Sequence, residues 1–497
     1  MLSTDQCSHI RTFIIPHGLK LLLQTQKSRT ITIVVRVQKS DAAFFKEGFH
    51  KAKGILQHNH YRTIFNGITY KRTVPSRDFY IHQWNWDSAT HAMGLVHLDP
   101  ARAVDELRAL ISGQWKNGLI PQIIFNPGET KYFPGPQFWG TEKFRKGEIL
   151  SSGITQPPLL GISAEHVFKT ATSQHIAVKH GEEILSGVLK YHDYLKTTRD
   201  PEDSGLLTVV HPWESGTDNS ARWDKLLGKI KIDKIPQGIK EVVDLYRVDN
   251  KLKGPAQRPR QEFYYRAMYL IYLFKNLEWD YKKIVKESPF AVKDILFNCL
   301  WIRSNEALAN MLNALGRKKD AERYQVWAVQ GKMALEQTWS NEFKQFCDVD
   351  VSDNKQEVIV QPTNSMFAPL LAGIPDQKQL NKILVRLHDR NQFWSEYPVP
   401  TMALNSPFFD RSKYWRGPSW PITNLFIIDG LARYPLNKKA SQLRKLLVEK
   451  TLRMIVKNDF SEYYDPVKGS GLGFGNFSWS AAIFIYLFRK YKVGGLN

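Results

Sequence analysis

The amino-acid sequence predicts an all-α protein: one large helical domain whose functional site is built from long loops. Three observations carry this reading. Apolar residues recur at helical spacing, as Val104, Leu107, Leu110 and Ile111 do. The segments between such stretches are long and rich in Gly, Pro and Trp, and they hold the unusual residues. The β-branched run Ile31-Thr-Ile-Val-Val-Arg-Val37, by contrast, lies in an N-terminal part that reads differently from the rest.

In chain order, residues 1–45 are expected to form an extension or a short strand pair of unknown role, and residues 46–497 the helical domain. Helices are predicted over 101–116, 163–197, 261–276, 289–314, 317–338, 376–388, 439–456 and 478–492. Pro100 marks the start of the first of these, because proline suits the opening turn of a helix. No internal repeat and no low-complexity segment is visible.

Composition narrows the function classes. Hydrophobic residues make up 42% and charged residues 24% of the 497, a globular balance. Core packing is the commonest use of Trp. Many of the 14 Trp, however, stand beside Asp, Asn, Gln and Arg in turn-like motifs, the setting of a ring on which a pyranose stacks. The formal charge of +21 favours anionic partners. It is spread along the whole chain, and no RNA-binding signature or zinc-finger spacing accompanies it, so no specific nucleic acid is expected. Cys7, Cys299 and Cys347 are far apart and odd in number, which suits a reducing compartment and no metal. No apolar stretch reaches the ~20 residues of a membrane helix, so no membrane partner is expected. A cytoplasmic location is the simple reading, although residues 1–40, with six Lys/Arg and Asp5 as their one acid, permit an organellar transit peptide. A homo-oligomer is compatible with the sequence.

Four motif sets stand out: Tyr80-Ile-His-Gln-Trp84-Asn-Trp86-Asp87; Gly153-Ile-Thr-Gln156-Pro-Pro158; His211-Pro-Trp213-Glu214-Ser-Gly-Thr-Asp218-Asn-Ser-Ala-Arg222-Trp223-Asp224; and a C-terminal group. That group comprises Tyr414-Trp415-Arg416-Gly-Pro-Ser-Trp420-Pro421, Phe460-Ser-Glu462-Tyr-Tyr-Asp465-Pro and Gly473-Phe-Gly-Asn-Phe-Ser-Trp479. Cleaving a glycosidic bond needs two carboxyl groups, one giving a proton to the leaving oxygen and one activating water or attacking carbon. The motifs offer Glu214, Asp218 and Asp224 in one segment and Glu462 and Asp465 in another. Residue types alone leave other roles open: Asp218-Asn219-Ser220 suits a helix cap, and Glu462 suits a solvated loop.

Taken together and in this order, the motifs resemble those of glycoside hydrolase family 63, and most closely its mannosylglycerate and glucosylglycerate hydrolases, from about residue 50 to 492. The resemblance implies an (α/α)6 barrel and an inverting α-glycoside hydrolase that acts on a small, anionic sugar-glycerate without metal or cofactor. It implies Asp218 as general acid and Glu462 as general base. It also implies that Tyr80, Trp84, Trp86, Asp87 and Gln156 line the sugar pocket, that Trp213 borders the acid, and that Tyr414 and Trp415 shape the far side. Arg416 is a further candidate, with a structural salt bridge as the competing role. Arg258 and Tyr264 are placed against the glycerate carboxylate, which a guanidinium can hold with two parallel bonds. The chain departs from the family pattern at Arg260, where a small Thr is expected. A second Arg there would suit a different anionic aglycone.

Two rival functions follow from the same residues. A trehalase-like α-glucosidase acting on neutral di- or oligosaccharides shares the Glu-Ser-Gly-x-Asp signature but gives Arg258 no carboxylate to bind. A non-catalytic basic sugar- or nucleic-acid-binding protein would not need both carboxylates.

Overall fold

The structure is a computed structural model that describes residues 12–14, 20–22 and 39–493, apart from 66, 145–146, 172–174 and 355. Twelve helices alternate between two concentric layers. In chain order they are α1 (Lys39–His58), α2 (Asn85–Leu95), α3 (Pro100–Ser112), α4 (Leu160–Thr170), α5 (His175–Arg199), α6 (Ile295–Ala314), α7 (Lys318–Glu336), α8 (Pro369–Ala372), α9 (Gln377–Leu387), α10 (Pro421–Leu431), α11 (Lys438–Lys457) and α12 (Ser478–Lys490).

The even-numbered helices form a closed inner ring: α2 packs on α4, α4 on α6, α6 on α8, α8 on α10, α10 on α12, and α12 back on α2. Odd-numbered helices lie outside, with α1 against α11 and α12, α5 against α3 and α4, and α7 against α6. This is the (α/α)6 barrel. Between α5 and α6 it carries an excursion holding the helices Gln237–Tyr246, Asp249–Lys253, Gln261–Asn276 and Tyr281–Glu287. No helix among the described residues is long and apolar enough to cross a membrane.

The layers explain which helices the periodicity finds. α3 has one apolar stripe, Pro100 in its first turn, and an Asp99 carboxylate that accepts from the N–H groups of Ala101 and Arg102 at 3.1 and 3.2 Å. α9 begins with a reciprocal cap between Asp376 and Gln379. α2 is different. All eleven of its residues are buried, polar and apolar alike, so no stripe marks it, and the sequence shows only a Trp-rich motif. α10 is buried nearly all round for the same reason.

Other boundaries shift as well. The predicted helix 163–197 is two helices, α4 and α5. The one expected from 289 starts at Ile295, because Val292–Lys293 pairs with Asp348–Asp350 as a strand and Asp294 caps the helix. α1 begins at Lys39, inside the segment expected to be an extension. Strands Thr12–Ile14 and Lys20–Leu22 do pair with each other, while the run 31–37 lies outside the described residues. Cys299 and Cys347 are buried free thiols.

Short β-contacts stitch the loops that lead into the inner helices. Gln83–Trp84 pairs with Ile123–Ile124 before α2, and Ile124 bridges Ser151 before α4. Val209 bridges Val292 before α6, Thr363 bridges Met402, and Ser419 bridges Tyr464 before α10 and α12. The ladders gather the N-terminal ends of the inner helices, with their outward N–H groups, at one end of the barrel.

Candidate active site

A cavity of about 720 Å³, open solvent at its mouth included, opens among these N-terminal ends. All twelve residues selected from the sequence line it: Tyr80, Trp84, Trp86, Asp87, Gln156, Trp213, Asp218, Arg258, Tyr264, Tyr414, Trp415 and Glu462. Asp87 sits in the first turn of α2, Glu462 in the hairpin before α12, and Asp218 in the loop before α6. Arg416 is not among the lining residues. It pairs with Asp224 and is a structural salt bridge.

The loop around Asp218 is shaped by its neighbours. Gly216 has φ of +71°, and a Cβ there would sit 2.6 Å from the Trp86 ring, so both backbone and space require glycine. Glu214, four residues before Asp218, faces away from the cavity. It is bidentate with the buried Arg199 and accepts from the N–H groups of Thr155 (3.2 Å) and Val210 (3.0 Å). Ser220 supplies the cap for the turn Ala221–Trp223, and Asn219 accepts from the Trp415 N–H at 3.0 Å. Asp218 itself is no cap, and among the described residues no side chain, and no backbone group but its own N–H, bonds its carboxyl. Burial pushes that carboxyl up to about 8. Trp213 lines the same cavity. Trp223 does not line the cavity; it packs edge-on against Phe290 behind the loop.

Glu462 has opposite surroundings. Its carboxylate accepts from Tyr80 Oη at 3.2 Å, Arg258 Nη2 at 3.1 Å and the Phe474 N–H at 3.2 Å. Burial raises its pKa, and these three donors, Arg258 first, hold it back. Its chain neighbours Tyr463, Tyr464 and Asp465 are not among these donors. Instead Tyr463 reaches the Gln257 carbonyl at 2.8 Å, and Asp465 turns onto the N–H groups of Val467 and Lys468. Gly473, at φ +69°, leaves room for Glu462, whose carboxylate a Cβ there would strike.

Arg258 therefore has a partner the sequence did not foresee. It is buried, bonds Glu462 and Tyr80 (3.0 Å to its Oη), and lies over the ring of Tyr414. Its guanidinium is the counter-charge of the candidate base, and only its remaining N–H groups are available to a ligand. Tyr264 gives its hydroxyl to Asp249 at 3.0 Å and is stacked under Arg247.

Aromatic rings make up most of the remaining wall. Trp415 stacks on Trp420 at 3.7 Å, and Trp84 meets Tyr132 edge-on at 5.1 Å. Gln156 accepts from the Trp86 N–H at 3.2 Å, fixing the start of α2. Asp87, pushed well above the usual carboxylate range by burial and then by Glu462, faces the same space. The sequence reading missed Gln122, Tyr132, Asp249, Phe477 and Trp479 as lining residues. Trp479 stands in a motif already singled out, and the aromatic Pro/Gly loop around Tyr132 was the available signal for that residue.

A ring-lined cavity in which one carboxyl is raised by burial and a second is held by three donors suits acid–base hydrolysis of a small sugar derivative. Comparison with known proteins agrees. The sequence model of the mannosylglycerate hydrolase MGH1-like glycoside hydrolase domain matches residues 80–480. A mannosylglycerate hydrolase of Thermus thermophilus is 35% identical over 84% of this chain and 96% of its own length. A glucosylglycerate hydrolase of Mycolicibacterium hassiacum is 31% identical over 81% of this chain and 91% of its own. The crystal structure of a family 63 mannosylglycerate hydrolase from Thermus thermophilus, in complex with Tris and D-glycerate, superposes with a TM-score of 0.79 at 34% identity, covering 88% of this chain and 99% of that one. The chain belongs to the mannosylglycerate hydrolase MGH1-like glycoside hydrolases of family 63 and is an inverting glycosidase on an (α/α)6 barrel.

Proposed function

We propose that the enzyme hydrolyses the α-glycosidic bond of a small sugar-glycerate, mannosylglycerate or glucosylglycerate, to free sugar and glycerate. Asp218 is the general acid and Glu462 the general base. The observation that carries this is the contrast between them: no other residue bonds the Asp218 carboxyl, which burial pushes up to about 8, whereas Glu462 is held by Arg258, Tyr80 and a backbone N–H. The names of the relatives, and the glycerate bound to the Thermus structure, support the substrate class.

In the reaction Asp218 gives its proton to the glycosidic oxygen as the C–O bond breaks. Glu462 takes a proton from a water whose oxygen bonds the anomeric carbon from the opposite face. Inversion follows, and proton exchange with solvent resets both carboxyls. Trp84, Trp86, Trp415 and Tyr414 offer flat faces to the sugar, and Asp87 and Gln156 accept or donate to its hydroxyls. Arg258 keeps Glu462 ionised and offers its free N–H groups to the glycerate carboxylate, with Tyr264 beside it. The catalytic unit comprises residues 46–497, joined by the part of α1 that precedes them.

Incubation with mannosylglycerate, glucosylglycerate and trehalose, followed by proton NMR of the first-formed sugar, tests this. A glycerate glycoside should be cleaved with the β-anomer appearing first. Cleavage of trehalose alone, or first release of the α-anomer, would refute the assignment.

A further inference from the structure

Resting on Asp218 as the general acid of the function just proposed, we infer that Arg222 is its positioning residue. This buried guanidinium ties the loop that bears Asp218 to the barrel and so fixes where the proton is delivered.

Among the described residues no other residue bonds the Asp218 carboxyl, so the chain on either side of it sets its pose. On one side the Asn219 side chain accepts from the Trp415 N–H at 3.0 Å. On the other side every polar atom of Thr217 is engaged. Its N–H donates to Ser215 Oγ at 3.0 Å, and its carbonyl accepts from the Ser220 N–H at 2.9 Å and from Trp223 Nε1 at 3.1 Å. Its hydroxyl Oγ1 accepts from Arg222 Nη2 at 2.8 Å, and through Arg222 the loop reaches the barrel.

The far end of the guanidinium is anchored there. Arg222 Nη1 donates to both carboxylate oxygens of Asp348 at 2.8 Å and lies 3.1 Å from Asp294 Oδ2. Asp348 also accepts from the Ile295 N–H at 2.8 Å, and Asp294 caps the same helix, so both carboxylates are fixed to the first turn of α6. All three charged side chains are buried, and the guanidinium lies 4.1 Å over the Trp223 ring. Arg222 cannot turn away without leaving two carboxylates buried and uncompensated, so its direction is set. The inner helix that faces the cavity thus holds Thr217, and with it the neighbouring Asp218, through a rigid ion cluster. Proton transfer needs such precision, because a displacement of about 1 Å can cost about 10²-fold in rate.

The test compares a glycerate glycoside, whose leaving oxygen needs a proton, with the α-glycosyl fluoride of the same sugar, whose leaving group departs with little help from an acid. Thr217→Val keeps the side-chain shape and the Arg222–Asp294–Asp348 cluster but removes the bond between them and the loop. It should lower kcat about tenfold on the glycerate glycoside and less than about twofold on the fluoride, with KM little changed. Arg222→Met should show the same bias, with a loss of about 10²-fold on the glycerate glycoside. Its folding is checked by thermal melting, and if it does not fold, Thr217→Val alone decides. Asp218→Asn should show the largest bias of the three. Losses in Thr217→Val that are equal on the two substrates, or no loss at all, would make the cluster a support of the fold only and overturn the inference, while a bias in Asp218→Asn leaves the proposed function standing. Asp218→Asn without a bias overturns both.

Discussion

Two faces of a single loop, four residues apart, treat a buried carboxyl in opposite ways. Behind the loop, Glu214 is bonded by the Arg199 guanidinium and two backbone N–H groups. In front, Asp218 has no bonding partner beyond its own N–H and is pushed up to about 8 by burial. Both are buried acids in one motif, and burial alone does not separate them. Donors do: three sets of N–H groups tie Glu214 into the scaffold, whereas their absence leaves Asp218 a proton to give. Glu462 lies between these extremes, raised by burial and held back by three donors, yet open to the cavity, as a base must be.

The largest effect should come from removing the reactive members of this set. Asp218→Asn and Glu462→Gln should each lower turnover by about 10²–10⁴-fold while circular dichroism and melting stay close to the parent. Retention of full activity by either variant would break the comparison at its catalytic side. Glu214→Gln should act on stability instead. It leaves Arg199 buried without its counter-charge, at a cost of about 3–5 kcal/mol in denaturant unfolding. An unchanged unfolding midpoint would show that Glu214 is not the scaffold carboxylate described here.

The pH profile sharpens the contrast between acid and base. Activity requires protonated Asp218, so it should fall as pH rises through about 8. It also requires ionised Glu462, so it should fall on the acid side as that group takes up a proton. Arg258 favours the ionised form, so Arg258→Met should move the acid limb to higher pH and lower kcat. A limb that stays in place would mean that Arg258 does not set the charge of Glu462. The smallest effect belongs to Arg416→Ala, which breaks a partly exposed pair with Asp224 and should change stability by less than about 1 kcal/mol.

The motif residues and the helical class could be read directly from the chain. Trp, Tyr, Gln, Asp and Glu in short polar segments kept their identity as site residues, because residue type is local information. So were the outer-layer helices α3, α5, α7, α9 and α11, since a helix with one wet face shows a 3.6-residue stripe. Of the inner ring, α4, α6 and α12 were legible too, while α2, α8 and α10 were not. α2 and α10 are covered on every side by other helices, so periodicity has nothing to report, and α2 in particular was taken for a loop although it carries Asp87.

Tertiary structure alone decided the partners. No spacing rule links Arg258 to Glu462, which lie 204 residues apart, or assigns Glu214 to Arg199 and leaves Asp218 without a donor. Ring closure brings those segments to one end of the barrel, and it is there that burial and hydrogen bonding set each carboxyl's charge. The sequence by itself supplied the groups capable of acid and base chemistry. Which of them holds a proton depends on donors a few ångströms away, and those come from parts of the chain that meet only when the barrel closes.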